Sequence, residues 1–189
     1  FGTGALGDMG CHNLDVAFTA LNLRDPAAVS AESSGISAET APQWSIVTFE
    51  FPRRGRRAAL ALTWYDGGKK PDPALVNLKE LPGNGAIFVG TKDTLFVPSY
   101  WGPGTFLSGA KMEDFAKVRE TLPRLRGAEQ DHDAAHHQEW IDACKGLGKA
   151  LSNFDYAGPM TEALLLGNVA LRTGRRVEWN ARSLRVTNL

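Results

Sequence analysis

The residues best suited to chemistry lie close together near the start of the sequence. Asp8 and His12 are four residues apart in a stretch whose apolar residues recur every three or four positions, so both side chains fall on one face of a predicted helix. A carboxylate can orient an imidazole, and imidazole groups titrate near neutrality, which suits general acid–base catalysis on a substrate hydroxyl. The same spacing also fits a plainer arrangement, in which Asp8 complements the helix dipole and His12 is a polar residue of the core.

A second set of candidates follows a predicted strand. Trp64, Tyr65 and Asp66 end that strand and enter a loop over residues 66–85 that is rich in Gly and Pro. Long loops inside a compact domain are often functional, and aromatic rings beside polar groups suit the faces and hydroxyls of sugars. We therefore predict that these residues bind substrate, with Lys69 as a weaker candidate. The alternatives are aromatic packing under the loop and, for Lys69, an ordinary solvated side chain.

Two further patterns resemble a dinucleotide-binding site and a metal site, but each lacks a part that such a site needs. Residues 2–7 match G-x-G-x-x-G, the dinucleotide-binding fingerprint, but no strand precedes them, and hairpins rather than βαβ units follow. Asp8 also follows the third glycine directly, where its charge would compete with a pyrophosphate for the helix N-terminus. His132 and His136 have the spacing of two metal ligands on a helix, but a third and a fourth ligand are not evident. We predict no cofactor site and no metal site in this chain.

The elements that must position these candidates follow from the periodicity of the sequence. The first helix is expected to end before Pro26, and the second and third strands form a long antiparallel hairpin. The last helix is predicted to have Pro159 at its first position and Gly174 just past its end. Helices are predicted over residues 5–23, 134–145 and 159–173, and strands over residues 29–36, 44–51, 57–65, 86–89, 95–97, 177–179 and 184–186. Residues 98–131 have no clear assignment.

Together these elements predict one α+β domain over residues 1–189. Its sheet is expected to be single, open, mixed and mostly antiparallel, with the helices gathered on one face. Alternation along the long hairpin places six apolar residues on the face of the sheet that is predicted to be buried: Val47, Phe49, Phe51, Leu60, Leu62 and Trp64.

Composition excludes some classes of function. The 189 residues include 21 Lys and Arg against 21 Asp and Glu, and this balance argues against a nucleic-acid partner. No apolar run is long enough to span a membrane. The two cysteines, Cys11 and Cys144, are expected to be free thiols, with a single disulfide as the alternative. The sequence does not indicate a cellular compartment.

Several motifs, in order along almost the whole chain, resemble the C-terminal domain of the Gfo/Idh/MocA oxidoreductases, most closely a bacterial subgroup common in planctomycete-like genomes. The motifs lie at residues 4–12 (GALGDMGCH), 14–15 (LD), 62–68 (LTWYDGG), 137–146 (HQEWIDACKG), 152–159 (SNFDYAGP), 172–174 (RTG) and 177–179 (VEW). The resemblance implies a domain similar to the C-terminal domain of dihydrodipicolinate reductase, preceded in the full protein by a Rossmann domain that binds NAD or NADP. The chain starts at Phe1 without a Met, and we expect it to be part of such a longer protein.

The resemblance also implies roles for individual residues. The family's D-x-x-x-H motif matches Asp8 and His12, so His12 would be the acid–base group on the substrate hydroxyl, and Asp8 would orient it or bind the sugar. The family's catalytic Lys would lie in the Rossmann domain, before residue 1. A residue near the start of the helix at 134 can approach the active site in the family, so His136 and His137 are predicted to line the substrate pocket.

The implied function is hydride transfer between a nicotinamide cofactor and a sugar, a polyol or a related hydroxy compound, with this chain inactive on its own. Two alternatives remain. The chain is part of an NAD-dependent glycosidase of the same family, or it is a non-catalytic binding module. The exposed face of the sheet is expected to form the contacts of a homo-oligomer in either case, as it often does in the family.

Overall fold

The computed structural model describes residues 2–75, 81–99, 103–123, 125 and 127–189. It divides the chain into two compact units, one comprising Phe1–Met112 with Pro159–Leu189 and the other comprising Glu113–Gly158. The helices are α1 (Gly4–Leu21), α2 (His132–Cys144) and α3 (Phe154–Thr173), with single 3₁₀ turns at Pro73–Leu75 and Met112–Phe115. The strands are β1 (Ala28–Ser33), β2 (Ser45–Phe51), β3 (Leu60–Tyr65), β4 (Ala86–Val89), β5 (Thr94–Val97), β6 (Thr105–Phe106), β7 (Val177–Asn180) and β8 (Arg185–Val186).

A five-stranded sheet in the order β3-β2-β1-β7-β8 is the framework of the first unit. Val47 pairs with Trp64 and Phe49 pairs with Leu62, so the apolar side chains of β2 and β3 share one face, as the alternation predicted. In β2 every second residue, from Ser45 to Phe51, is buried. This register gives the sheet a covered face and an open face.

Helices α1 and α3 cover the buried face of this sheet. The ring of Phe18 in α1 meets the ring of Phe51 edge to face, with centroids 5.8 Å apart. The two helices approach each other closely at Gly10, where a Cβ atom would lie 2.6 Å from Cδ2 of Leu164. At Gly167 a Cβ atom would lie equally close to Leu6 of α1 and 3.1 Å from the ring of Phe49. Glycine at both positions lets the helices and the sheet pack at short range.

The prediction of a single mixed sheet is wrong. Strands β4, β5 and β6 form a separate three-stranded sheet, and every strand pair among the described residues is antiparallel. The hairpin of β4 and β5 was predicted, but β6 lies in the stretch that had no assignment. Phe106 pairs with Leu95, and β6 is only two residues long, too short to show a period in the sequence.

The helices were predicted with one clear error. Helices α1 and α2 agree with their predicted ranges to within two residues, and Gly174 follows α3 with a positive φ of 60°. However, α3 begins at Phe154, so Pro159 lies inside it rather than at its first position. Asn153 explains the earlier start, because its side chain accepts a hydrogen bond from the backbone N–H of Asp155.

The second unit contains α2 and the start of α3. Asp131 caps α2 by accepting a hydrogen bond from the N–H of Ala134 at 2.9 Å. The carboxylate of Glu139 accepts a hydrogen bond from the N–H of Leu151, which ties the following loop to the helix. Within the described part of the chain, no helix has the length and apolar character needed to cross a membrane.

Candidate functional site

Asp8 and His12 lie on one face of α1, one turn apart, and both are exposed. The opposite face of the helix is buried against the sheet and α3 through Leu6, Gly10 and Leu14. Because the apolar side of α1 is fixed by packing, the two polar side chains project away from the core. The alternative in which His12 is a polar core residue does not agree with this exposure.

The direction of α1 decides which other candidates lie near its start. Leu6 packs beside Val47 and Phe49 through Gly167, whereas Phe18 packs on Phe51, so α1 runs along β2 in the same direction. The start of α1 therefore lies at the end of the sheet where β2 begins and β3 ends. Asp8 is close to this end, and His12 is about halfway along the helix.

Asp66 forms a compact hydrogen-bonded cluster at that end of the sheet, which we call the strand-end clamp (Ser45, Trp64 and Asp66). One carboxylate oxygen of Asp66 accepts the backbone N–H of Ser45 at 2.5 Å. The other accepts the Ser45 hydroxyl and the indole N–H of Trp64, both at 2.6 Å. Ser45 is 1% exposed and Trp64 is 7% exposed. The carboxylate thus closes the β2–β3 pair, and Trp64 packs in the core.

The other two candidates of this stretch have different surroundings. Tyr65 pairs with Ile46 and lies on the open face of the sheet, on the side opposite to α1. The ammonium of Lys69 lies 4.2 Å from the ring centroid of Trp44, a cation–π contact on the surface. The structure therefore brings Asp66 and Lys69 to the end where α1 starts and directs Tyr65 away from it. Substrate binding by these residues stays a prediction.

Asn13 and Ser99 were not predicted as site residues. Asn13 follows His12 directly, is 7% exposed, and its side-chain oxygen accepts a hydrogen bond from the hydroxyl of Ser99, just after β5. A signal for Asn13 was present, because it occupies an inward-facing position of α1, in line with Leu6, Gly10 and Ala17. Ser99 had no such signal, since its contact depends on the second sheet.

His136 and His137 lie on α2 in the second unit, and both are exposed. Their rings are tilted by 40° with centroids 6.2 Å apart. Their role in lining a substrate pocket stays a prediction. In the described part of the chain, no three His, Cys, Asp or Glu side chains are grouped so that they could hold a metal ion.

The glycine-rich start of the chain has a structural role in α1. Thr3 precedes the helix without a capping hydrogen bond from its side chain, and its carbonyl accepts the N–H of Gly7. A Cβ atom at Gly7 would lie 2.2 Å from the Thr3 side chain, so the absence of a side chain at Gly7 leaves room for Thr3 in the first turn of α1. The close approach of Gly7 to Thr3 accounts for this glycine without a ligand, and the expectation that the segment holds no cofactor stays a prediction.

A groove with a volume of about 570 Å³ lies at the other end of the five-stranded sheet. Two of its lining residues, Arg176 and Glu178, form an ion pair at 2.7 Å, and Arg176 also binds both carboxylate oxygens of Glu50, at 3.0 and 2.9 Å. The groove lies past the end of α1, away from Asp8.

Cys11 and Cys144 are both free thiols, as predicted.

Comparisons of the chain with protein families and with curated proteins gave no match. No protein-family model matches the chain, and no curated protein matches it.

Proposed function

We propose that this chain is the substrate-side part of an NAD(P)-dependent oxidoreductase of the Gfo/Idh/MocA type. Its substrate would be a sugar, a polyol or a related hydroxy compound, and the chain on its own would be inactive. The observation that carries the proposal is the pair Asp8 and His12 on one exposed face of α1. The five-stranded sheet, covered on one face by α1 and α3, supports the finer proposal that the fold resembles the C-terminal domain of dihydrodipicolinate reductase.

The proposed chemistry of this chain is the movement of one proton. His12 accepts the proton of the substrate hydroxyl during oxidation and returns it during reduction. Asp8, one turn earlier on the same face, orients the imidazole or receives a second hydroxyl of the substrate. Hydride transfer is the chemistry that the nicotinamide supplies. In this proposal the cofactor is held by the Rossmann domain of the full protein, and no residue of this chain is assigned to it.

The proposal is tested in the full-length protein by following NAD(P)H at 340 nm over a panel of sugars, polyols and sugar acids. His12→Ala should lower kcat/KM by about 10²- to 10⁴-fold, the usual contribution of a positioned acid–base group. Lys92→Ala, at the turn between β4 and β5, is the control and should retain activity. A fully active His12→Ala variant with a normal circular dichroism spectrum would remove His12 from the mechanism.

A separate titration tests the proposal that this chain has no cofactor site of its own. NAD added to the isolated chain should give no saturable heat in calorimetry up to millimolar concentrations. Binding with micromolar affinity would contradict the assignment of the glycine-rich start to a structural role.

A hydrolase assay with nitrophenyl glycosides and catalytic NAD distinguishes the glycosidase alternative, since turnover would then release nitrophenol without net NADH.

The open face of the five-stranded sheet supports a second candidate function, subunit assembly. With α1 and α3 on the other face, this face carries half-buried side chains of β2 and β3: Ile46, Thr48, Thr63 and Tyr65. The hydroxyls of Thr48 and Thr63 bond to each other at 3.1 Å, so these two polar side chains satisfy each other on this face. Sedimentation should show an oligomer that Thr63→Arg dissociates. A monomeric wild-type protein would exclude this candidate.

A further inference from the structure

The buried face of α1 contains one polar side chain among apolar residues and glycine. Asn13 is 7% exposed, and its neighbours on that face are Leu6, Gly10, Leu14, Ala17 and Phe18. A buried amide is costly unless it is hydrogen-bonded, and an apolar residue of similar size would fill the same space without this requirement. The position therefore needs a specific partner, and stability alone does not favour Asn there.

The partner comes from the second sheet. Ser99 lies two residues after β5, and its hydroxyl donates a hydrogen bond to the side-chain oxygen of Asn13, 86 residues away in sequence. Helix α1 also contacts β4, the neighbour of β5. The hydrogen bond thus fixes the middle of α1 to Ser99, which follows β5 on the way to β6 of the same three-stranded sheet.

From this contact we propose that Asn13 and Ser99 are positioning residues for His12, and this inference rests on the proposed function. Apolar contacts alone let a helix rotate or slide by small amounts, whereas a directional hydrogen bond between buried groups selects one setting. Asn13 and His12 are consecutive, about 100° apart around the helix, so the bond that holds Asn13 inward fixes the direction in which the His12 side chain leaves the helix. The side-chain amide of Asn13 therefore adds less stability than an apolar residue would, but it holds the acid–base group His12 in position.

Two variants break the bond from its two sides. Asn13→Leu keeps the branched shape and the number of side-chain heavy atoms but removes the amide, and Ser99→Ala removes the donor. In the full-length protein each should lower kcat by on the order of tenfold to a hundredfold with little change in KM, the effect of a displaced catalytic group. The double variant should be no worse than the poorer single variant, because both changes remove the same bond. The urea midpoint of Asn13→Leu should be equal to or above that of the wild type.

Controls separate positioning from general damage. Ser99→Thr keeps the hydroxyl and should restore most of the activity that Ser99→Ala loses. Ser183→Ala, at an exposed serine between β7 and β8, should leave kcat unchanged. If Asn13→Leu does not fold, Ser99→Ala and its Thr counterpart still decide the matter.

A readout on His12 itself separates this inference from the proposed function. The ring C–H signals of His12, assigned in NMR spectra by their loss in His12→Ala, should shift in Asn13→Leu and in Ser99→Ala but not in Ser183→Ala. Unchanged His12 signals in both variants would overturn the inference, whatever the activity. Shifted signals in a protein that oxidises no hydroxy compound would instead sustain the positioning role and refute the proposed function.

Discussion

Two carboxylates near the same end of the sheet, those of Asp66 and Asp8, have opposite surroundings. Asp66 is half-buried, and its two oxygens accept three hydrogen bonds from the strand-end clamp. Asp8 is exposed on the outer face of α1, one turn from His12. A carboxylate has about four acceptor sites, and the clamp takes three of those of Asp66. Asp66 therefore holds the two strands together, whereas Asp8 is exposed to solvent and can receive a new partner.

The largest effect that tests this comparison is on the stability of Asp66→Ala. The substitution leaves the N–H and hydroxyl of buried Ser45 and the indole N–H of Trp64 without their acceptor. Since each buried donor that loses its partner costs about 1–3 kcal/mol, we expect the free energy of unfolding to fall by about 3 kcal/mol or more. Asp8→Ala is the matched variant and should change it by less than about 0.5 kcal/mol. Urea titration followed by tryptophan fluorescence measures both, and equal losses would remove the distinction between the two acids.

A smaller effect is expected at Gly67, which continues the chain out of the clamp. Its φ is 62°, and a Cβ atom there would lie 2.0 Å from the carbonyl oxygen of Gln43 and 2.5 Å from Cα of Trp44. Gly67→Ala must therefore displace backbone next to the clamp, and we expect a loss of about 2–3 kcal/mol. Gly68 has a φ of 85° but open space around its Cβ position, so Gly68→Ala should lose only about 1 kcal/mol.

The pair Gly67→Ala and Gly68→Ala also locates the rigidity of the loop. Both variants place an alanine at a positive φ, so this cost is common to them. The difference between their losses of unfolding free energy therefore measures the close contact of Gly67 with Gln43 and Trp44. If they destabilise the protein equally in the same urea titration, the loop after β3 is not packed on Trp44, and the clamp ends at Asp66.

The elements of the first unit were largely predictable from local pattern, for a physical reason. In β2 and β3 the polar and apolar residues alternate, and the covered face predicted from this period is the one that α1 and α3 bury. The early start of α3 was missed because Pro159 has no N–H and is typical of a first turn, whereas Asn153 supplies the actual cap. The third strand of the second sheet could not be predicted, because β6 is only two residues long and no local period indicates it.

The site was predictable only in part. The shared face of Asp8 and His12 follows directly from helical spacing, and their exposure agrees with it. The clamp was not predictable, because Ser45 and Asp66 are 21 residues apart and meet only when β2 pairs with β3. Strand alternation did imply that Trp64 and Tyr65 point to opposite faces, so a pocket formed by both was not a consequence of the pattern.

The smallest effect concerns a third kind of carboxylate, held by a cation at the other end of the sheet. The guanidinium of Arg176 binds both oxygens of Glu50, and this hydrogen bonding holds the pKa of Glu50 below its ordinary value. A lowered pKa in the folded state adds stability that is present above the ordinary Glu pKa, near 4.5, and is lost as the pH falls through the folded value. Both side chains are 46% exposed, so solvent screening limits the contribution to less than about 1 kcal/mol. The stability difference between wild type and Glu50→Gln should therefore be largest at pH 7 and should shrink towards zero as the pH falls through the folded pKa of Glu50. The difference in unfolding free energy between wild type and Arg176→Met should shrink in the same way. A difference that stays constant from pH 7 to pH 3 in urea titrations would show that the ion pair adds no stability. In that case the neutral donors of the clamp would be the stronger means of holding a carboxylate.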